Sequence, residues 1–592
     1  MKSRISFFDR TLFLKNVTRF APCWGLYAII LLLVQPLILG GTPAYLAREM
    51  ADYIQVMGFF TPIYALICAE LLFGDLFNSR MCNALHALPL RRETVFGTNV
   101  LSGLAFQFVP TFLIFLIVLV ILISTGMPHA WIVAPLWLLA LNLQFLFFFS
   151  VASLSAFCVG SRFALAVVYG ILNFGSVILG WLVDMLFVPM YYGIKINMVP
   201  FLLFSPIPYI LEGEFLNMER VFAPSTHYDR IPEIIDYIPH LGDTFGYHFV
   251  LAAVGIGALA LAVWLYRRRN LESAGDFIAI PSLCPVFLVI YTIVVGVFFH
   301  MISGGIFGLD SYAGLFAGMA VGWFTGLMLL HRTPRVFSKR HIFRALLFLV
   351  LSAAVLLAAA ADPFGIESWV PQPSQVESVT IADGHYNYHN TELTLEDPAD
   401  IQRILEIHQE ALDAYWQDEM FPTAAALARP VTKEPDDRDY HLALTFTYRL
   451  TNGRTVNRYY NIWLGGDTGE YLLHLFSSPK AVFGREMTPE EFMAQNPTLV
   501  LTDAYDGQPV YLYDQKVRLL YEAMLLDCAE GNLSQIWNFY PNNATLFWLN
   551  NNDPNSPELH ITTACTHTLE YLREIGVDVD HLKDKLGLVD PK

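Results

Sequence analysis

About nine long apolar segments fill residues 20–361 of this 592-residue chain, and they constrain its fold more than any other feature. A hydrocarbon core of roughly 30 Å requires about 20 apolar residues in a helix. Because lipid offers the backbone no hydrogen-bond partner, each segment is expected to be helical. The expected spans are Ala21–Gly40, Ile54–Phe73, Gly97–Ser124, Trp131–Cys158, Phe163–Phe187, Gly246–Tyr266, Pro281–Ile302, Ser311–Leu330 and Phe343–Ala361.

The distribution of Lys and Arg between the spans predicts the orientation. Segments 1–20, 74–96, 159–162, 267–280 and 331–344 together hold 17 basic residues, whereas the alternate loops 41–53, 125–130, 188–245 and 303–310 hold 4. The N-terminus is therefore expected in the cytoplasm of a multi-pass protein of the plasma membrane. With nine spans, the C-terminal part would be extracellular.

The charge of the chain changes sharply after the last span. Residues before Asp362 carry 21 Lys and Arg against 17 Asp and Glu, and those from Asp362 onward carry 15 against 36. An acidic tail of this length can form one or two soluble domains. Its charge would favour cationic peptides and repel anionic lipid headgroups, although solubility explains it equally well. Nucleic acid is not expected as a partner.

Local patterns in the tail predict an α+β domain. Pro398–Tyr415 has a helical pattern with Asp397 as its cap. His441–Leu450 alternates strictly, Asn452-Gly453 supplies a turn, and Thr455–Trp463 returns as the partner strand. Thr488–Glu491 is a capping box that is expected to begin another helix. Helices are also expected at Gln515–Cys528 and Cys565–Ile575. The predicted fold is a polytopic α-helical membrane protein with a C-terminal α+β soluble ectodomain.

Two other segments carry structural expectations. Ser6–Arg19 mixes apolar and basic residues and is expected to lie as a short helix in the cytoplasmic interface, with a merely basic leader as the alternative. In the long loop Val188–Phe245, the apolar and proline-broken stretch Val199–Leu211 is expected to form re-entrant or interfacial helices.

Motifs for chemistry are absent from the sequence. It contains no phosphate loop, no G-x-S-x-G, no H-E-x-x-H and no C-x-x-C. No catalytic, cofactor-binding or metal-binding residue is therefore predicted, and the chain is not expected to be an enzyme. Cys528 and Cys565 could form a disulfide or stay reduced. The acidic cluster Glu434, Asp436, Asp437 and Asp439 could hold a cation, but a solvated loop explains it more simply.

Segment 74–96 is the cytoplasmic loop with the most distinctive sequence. An amphipathic stretch from Leu76 to Leu88 precedes Pro89 and the triplet Arg91-Arg92-Glu93. A short surface helix ended by proline would suit a partner protein that pushes on it. The alternative is an ordinary basic loop on the inner side of the membrane.

The N-terminal part of the chain resembles the permease subunits of ABC-2 type transporters. The resemblance rests on a basic interfacial helix, two spans, and a loop that ends in Leu88-Pro89-Leu90-Arg91 before a long third span. Residues 267–276 resemble the end of the same module in Gram-positive members, and the tail resembles an uncharacterised extracytoplasmic domain of some Firmicutes permeases. The resemblance covers roughly residues 1–280. The implied organisation is an interfacial helix (1–20), a six-span ABC-2-like permease core (21–266), three additional spans (267–361) and the acidic domain (362–592).

The resemblance implies a function that the residues alone do not. It implies an exporter subunit that works with a separate P-loop ATPase, which would bind ATP-Mg, and with a second identical or different permease chain in the lipid bilayer. The substrate would be amphiphilic, lipid-linked or a peptide. The implied ATPase-coupling residues are Leu76, Phe77, Arg80, Leu88, Pro89, Leu90, Arg91 and Arg92.

Polar residues inside spans are costly and therefore suggest function. The candidates are Glu70, Asn142, Gln144, Asn173 and Asp184. For the two carboxylates, extension toward the nearby interface is the simpler explanation; for the amides, it is hydrogen bonding between helices. The alternative function is a membrane sensor or scaffold, in which the acidic tail binds an external ligand without ATP-coupled transport.

Overall fold

A computed structural model describes most of the chain. The described residues are 7–38, 43–87, 89–124, 126, 129–222, 234–269, 275–307, 312–383, 392–418, 441–463, 466–483, 485–494, 499–503, 509–534, 545–550 and 559–579. The chain folds into two compact units. The helical unit comprises Met1–Val183 and Asn197–Ala353, and the sheet unit comprises Asp184–Ile196 and Ala354–Lys592.

Among the described residues, helices account for most of the helical unit. The helices are α1 Arg10–Arg19, α2 Ala21–Ile38, α3 Pro43–Phe73, α4 Ser79–His86, α5 Arg92–Ser124, α6 Ala130–Cys158, α7 Arg162–Phe187, α8 Val199–Leu203, α9 Pro206–Glu212, α10 Phe245–Arg268, α11 Cys284–Phe307, α12 Ala313–His331 and α13 Lys339–Ala360. A two-stranded antiparallel hairpin, β1 Leu216–Phe222 and β2 Ile234–Leu241, interrupts them.

Eight of the described helices are long and apolar enough to cross a membrane. They coincide with all the expected spans except the first, Ala21–Gly40. That segment forms α2, of which Ala21–Leu32 has the composition of a shorter apolar helix, while residues 39 and 40 lie outside the described part. The helices support a multi-pass membrane protein; nine spans and their orientation stay predictions.

Helix α6 forms the centre of the helical unit. It packs against α3, α5 and α10, and its buried side chains include Trp137, Phe145, Phe148 and Phe149, all 0% exposed. Helices α1 and α2 pack against α5. The expected interfacial helix is present as α1, with Asp9 as its cap, and the proline-broken stretch forms α8 and α9. Insertion of either segment into a membrane interface stays a prediction.

Helices α11 and α12 approach each other through glycine. Gly314, Gly318, Gly322 and Gly326 recur every fourth residue of α12 and form one stripe against α11. A Cβ on Gly318 would lie 2.9 Å from the Cα of Gly296. In a membrane, small residues at this spacing permit the close backbone contact that holds two helices together.

In its described residues, the sheet unit contains two four-stranded antiparallel sheets with separate cores. The first has the order β4-β3-β5-β6, and the second has the order β10-β9-β7-β8. The strands are β3 Val376–Asp383, β4 Glu392–Leu395, β5 His441–Leu450, β6 Thr455–Trp463, β7 Leu499–Asp503, β8 Pro509–Leu512, β9 Thr545–Asn550 and β10 Leu559–Thr562. The helices are α14 Pro398–Asp418, α15 Gly466–Phe476, α16 Pro479–Phe483, α17 Pro489–Met493, α18 Gln515–Ala529 and α19 Thr566–Glu574.

The local expectations for this unit are confirmed where the structure describes it. Strands β5 and β6 pair around the Asn452-Gly453 turn, in which Gly453 has a φ of 78°. The alternating residues of β5 and the apolar face of α14 are buried in the first core. Thr488 and Glu491 form the expected capping box. Cys528 and Cys565 are buried free thiols, and the acidic cluster 434–439 lies outside the described residues.

Segment Asp184–Ile196 belongs to the sheet unit although it includes the end of α7 and the residues after it. Tyr459 N–H donates to the Gly193 carbonyl (2.9 Å), and the rings of Tyr192 and Tyr460 lie 5.3 Å apart. Gly193 has a φ of 75°, and a Cβ there would collide with the Tyr460 ring. Glycine is therefore required both by the backbone conformation and by the close approach.

We expect Gly318→Ala to destabilise the α11–α12 pair. The added Cβ would lie 2.5 Å from the Phe299 Cβ, so the helices must separate. Overpacking of this kind costs about 1–3 kcal/mol and should lower the thermal unfolding temperature in detergent. Gly257→Ala on α10 is the matched control, because nothing lies within 4 Å of its Cβ position. Equal unfolding temperatures for the two variants would contradict the glycine contact.

Candidate functional site

The predicted coupling segment folds as a short helix fixed at the end of the bundle. Residues Gly74–Phe77 form a 3-10 turn that continues α3. Asn78 then caps α4, because its Oδ1 accepts hydrogen bonds from the N–H groups of Arg80 (3.0 Å) and Met81 (3.5 Å). Leu76 and Cys82 are buried at 3% and 2% exposure. The amphipathic pattern thus buries one side of the segment.

Arg269 ties this segment to the end of a core helix. Its guanidinium donates to the carbonyl of Ala156 near the end of α6 (2.7 Å) and to that of Leu76 in the 3-10 turn (3.4 Å). On the other side, Arg19 lies 3.8 Å from Asp75. The last carbonyls of a helix have no partner within it and carry partial negative charge, so a guanidinium there is stabilising.

Arg92 likewise donates to backbone carbonyls at the end of α10. Its Nη1 donates to the carbonyls of Tyr266 (2.9 Å), Arg267 (3.3 Å) and Arg269 (3.2 Å), and its guanidinium lies over the Tyr266 ring. Glu93 adds an ion pair with Arg267 at 2.9 Å. Arg92 therefore positions the start of α5 against the end of α10.

The expected coupling residues divide into two groups in the structure. Leu76 and Arg92 face the bundle, while Arg80, Pro89 and Arg91 are exposed. Among the described residues, the Arg80 side chain has no hydrogen-bond or ion-pair partner. Phe77 and Leu90 are half-buried, and Leu88 lies outside the described residues. The surface available to a partner is thus the outer face of α4 around Arg80.

Gln144 is the predicted polar residue with the most informative surroundings. Nδ1 of His248 lies 2.7 Å from the Thr244 carbonyl, so it is the nitrogen that carries the proton. The His248 Nε2 then accepts from the Gln144 amide at 3.1 Å. Both side chains are buried, and Gln144 Oε1 has no partner among the described residues. The pair joins α6 to α10 in the centre of the helical unit.

The other predicted intramembrane residues have simpler environments. The Asn142 amide donates to Leu138 O (2.8 Å) and to Thr111 on α5 (3.3 Å), so it links two helices. Asn173 donates to Tyr169 O of its own helix. Glu70 pairs with Arg162 at 3.5 Å, and both are too exposed for the pair to contribute much. Asp184 is exposed.

Sequence reasoning missed several polar groups in the same core. Among the described residues, Thr61 and Trp137 carry buried polar atoms without a partner, and the buried polar groups of Tyr27 and Gln107 lie beside each other. The Tyr27 ring stacks on Tyr64 at 3.9 Å, and Tyr64 donates to the Phe106 carbonyl. His248 was also missed. A search for every polar residue inside the spans would have found this set, but its convergence depends on how the helices pack.

Burial keeps a histidine of the sheet unit neutral. His408 is 0% exposed, and its two ring nitrogens lie 3.0 and 2.7 Å from the hydroxyls of Tyr448 and Tyr460. Burial, with a smaller effect from the nearby Arg458, lowers the pKa of His408 from 6.5 to about 3. The network joins α14 to strands β5 and β6 without any opening to a ligand, so it is structural.

Asp527, Glu530 and His567 are close enough together to suggest a metal site, but the geometry has another explanation. The buried Asp527 carboxylate accepts from the N–H groups of His567 (3.0 Å) and Thr568 (2.7 Å). It therefore caps the first turn of α19. His567 forms an ion pair with Glu530 at 3.1 Å on the surface, and that hydrogen bond raises the pKa of His567.

Comparison with protein-family models, curated proteins and solved structures found no match for the chain. The fold and its contacts define a helical protein with membrane-spanning character and a C-terminal sheet-containing part. Within that class, the resemblance to ABC-2 permeases stays a prediction.

We expect Arg92→Gln to destabilise the helical unit, because the shorter neutral amide cannot reach three carbonyls at the end of α10. Charge-assisted hydrogen bonds contribute about 1.5–3 kcal/mol, so unfolding in detergent should begin at a lower temperature. Arg80→Gln removes the same charge from an exposed position without a described partner and serves as the control. If both variants unfold like the wild type, Arg92 does not hold the helix ends together.

The His408 environment predicts that the sheet unit loses stability in acid. In the unfolded chain His408 binds a proton below its usual pKa of 6.5, whereas in the folded protein it stays neutral down to about pH 3. The free energy of unfolding should therefore fall by up to about 1.4 kcal/mol for each pH unit between pH 6.5 and about pH 3. In His408→Gln this contribution disappears while the carboxylates titrate as before. Urea unfolding of both proteins between pH 6.5 and pH 4 measures the difference; identical slopes would contradict it.

Proposed function

We propose that the chain is the membrane-spanning permease subunit of an ABC-2 type exporter. In this proposal a separate P-loop ATPase binds ATP-Mg and docks on the outer face of α4. A second permease chain, identical or different, would complete the assembly. The observation that carries the proposal is that Arg269 joins the turn before α4 to the end of α6. Arg92, which follows α4 at the start of α5, joins that helix to the end of α10.

The contacts provide a route by which movement of α4 would reach the core. Arg269 holds the turn before α4 and the end of α6 together, so these parts move as one. Helix α6 in turn packs against α3, α5 and α10 and carries the buried Gln144 amide. A push on α4 would therefore act on the helices that surround the buried polar groups.

Within this proposal the N-terminus and α4 lie in the cytoplasm and the sheet unit lies outside the cell. The substrate would be an amphiphilic, lipid-linked or peptide molecule moved outward. Buried polar atoms such as Gln144 Oε1, without a partner among the described residues, would offer hydrogen bonds to its polar part.

The alternative is a membrane sensor, and one observation favours it. Segment Asp184–Ile196, which includes the last residues of the apolar helix α7, packs with the sheet unit. A ligand that changed the sheet unit would thereby act directly on the end of α7. The sensor would need no ATPase.

The proposal is tested by purification of the tagged protein from native membranes in mild detergent, with mass-spectrometric identification of the proteins that co-purify with it. We expect a stoichiometric ATPase with a phosphate loop. Arg80→Glu should reduce its recovery by about tenfold, because the change reverses an exposed charge at the docking face. Thermal stability should stay at the wild-type value, since Arg80 supports no described contact of the bundle.

Lys195→Glu provides the matched control, because it reverses a charge in the sheet unit. Its effect on ATPase recovery should be small. Repeated recovery of the protein without any ATPase, under conditions that preserve a known ABC complex, would overturn the exporter proposal and favour the sensor.

A further inference from the structure

A groove in the sheet unit lies between the chain that continues from α13 and the β5–β6 turn. Its volume is about 620 Å³, and its walls include Phe364, Ile366, Trp369, Arg454 and Arg458. Phe364 is 86% exposed, and Trp369 and Ile366 are 37% and 40% exposed. The groove thus combines an exposed apolar and aromatic wall with two guanidinium groups.

Arg458 is the unusual member of this set. It is only 6% exposed, and its Nη2 donates to the Ile366 carbonyl at 2.9 Å. Its guanidinium lies 5.7 Å from the Trp369 ring centroid, and its buried Nε has no partner among the described residues. Within the same described part of the chain, no carboxylate forms an ion pair with it. A buried donor without an acceptor is costly, so an anion in the groove that accepted from this Nε would offset that cost.

The charge of the groove is opposite to that of its domain. The tail from Asp362 onward carries 36 acidic and 15 basic residues. The groove lining contains two arginines and, among the described residues, no Asp or Glu. Glu367, which lies beside the groove in sequence, directs Oε1 to the Tyr192 N–H (3.0 Å). The expectation that this domain repels anionic headgroups therefore does not extend to the groove.

The groove begins within four residues of the end of an apolar helix. Helix α13 ends at Ala360, and four residues reach at most about 14 Å. Asp362 closes a turn at this point, because its carboxylate accepts from the N–H groups of Ile366 (2.8 Å) and Glu367 (2.9 Å). Exposed aromatic residues at the end of a span, tryptophan above all, are typical of the membrane–water interface.

We propose that this groove binds the phosphate of an anionic lipid headgroup, with Arg454 and Arg458 on the phosphate and Phe364 and Trp369 against the apolar part of the lipid. Arginine suits this role because its planar fork can hold two phosphate oxygens at once. Binding of this kind depends neither on an ATPase nor on the direction in which the chain crosses the membrane.

The test measures binding of a fluorescent short-chain phosphatidylglycerol to the delipidated full-length protein in neutral detergent. Phosphatidylcholine of the same chain length and inorganic phosphate serve as competitors. We expect Arg454→Gln and Arg458→Gln each to weaken phosphatidylglycerol binding by at least about tenfold, which corresponds to loss of one charge-assisted contact. Phe364→Ala should weaken it as well. Phosphatidylcholine should compete poorly, and inorganic phosphate should compete only weakly.

Arg449→Gln is the matched control, because Arg449 lies on β5, pairs with Glu377 at 3.3 Å and does not line the groove. It should leave binding within about twofold of the wild type. Arg454 is exposed, so its variant should fold even if the Arg458 variant does not.

Strong competition by inorganic phosphate, with no effect of Phe364→Ala, would indicate that the groove binds a soluble phosphate compound. That result would overturn the proposal that its ligand is a lipid. Equal binding of the two lipids would overturn the proposed preference for an anionic headgroup. Equal losses in Arg449→Gln and Arg454→Gln would overturn the groove as the binding site. Neither result would bear on recovery of an ATPase, so the two proposals fail separately.

Discussion

The ends of the core helices depend on arginine. A helix satisfies its own backbone in the middle, but its last four carbonyls need other donors. In this protein Arg92 and Arg269 donate to carbonyls at or near the ends of α10 and α6. The same two residues fix the α4 segment and the start of α5. One kind of contact therefore closes the helix ends and joins the surface segment to the core.

The helical unit uses two ways to hold helices together in an apolar solvent. Around α6, large aromatic side chains interlock and a few amides hydrogen-bond between helices, as Asn142 does. Between α11 and α12, the stripe of glycines brings the backbones close instead. Hydrophobic burial cannot drive association within lipid, so close packing and polar contacts take its place. The sheet unit, in contrast, buries its strands and helices in two conventional cores.

Patterns with a short period could be predicted from the sequence. The alternation of β5, the Asn452-Gly453 turn and the apolar runs of the spans all depend on neighbours in the chain, so they appear as local signals. The order of the strands, the Gln144–His248 pair and the carbonyl contacts of Arg92 depend on residues far apart in the chain. A basic residue beside a span has the same local pattern whether it faces solvent or caps a helix, so Arg80 and Arg92 could not be distinguished.

Segment Asp184–Ile196 means that the sheet unit is not a simple C-terminal appendage. A fragment that begins at Asp362 would lack the Gly193 carbonyl that accepts from Tyr459. A chain cut before Asp362 would lack Tyr459 and Tyr460, against which Gly193 and Tyr192 pack. Each half would therefore expose surface that the whole protein covers. Dissection at the apparent domain boundary would thus produce two incomplete folds rather than two modules.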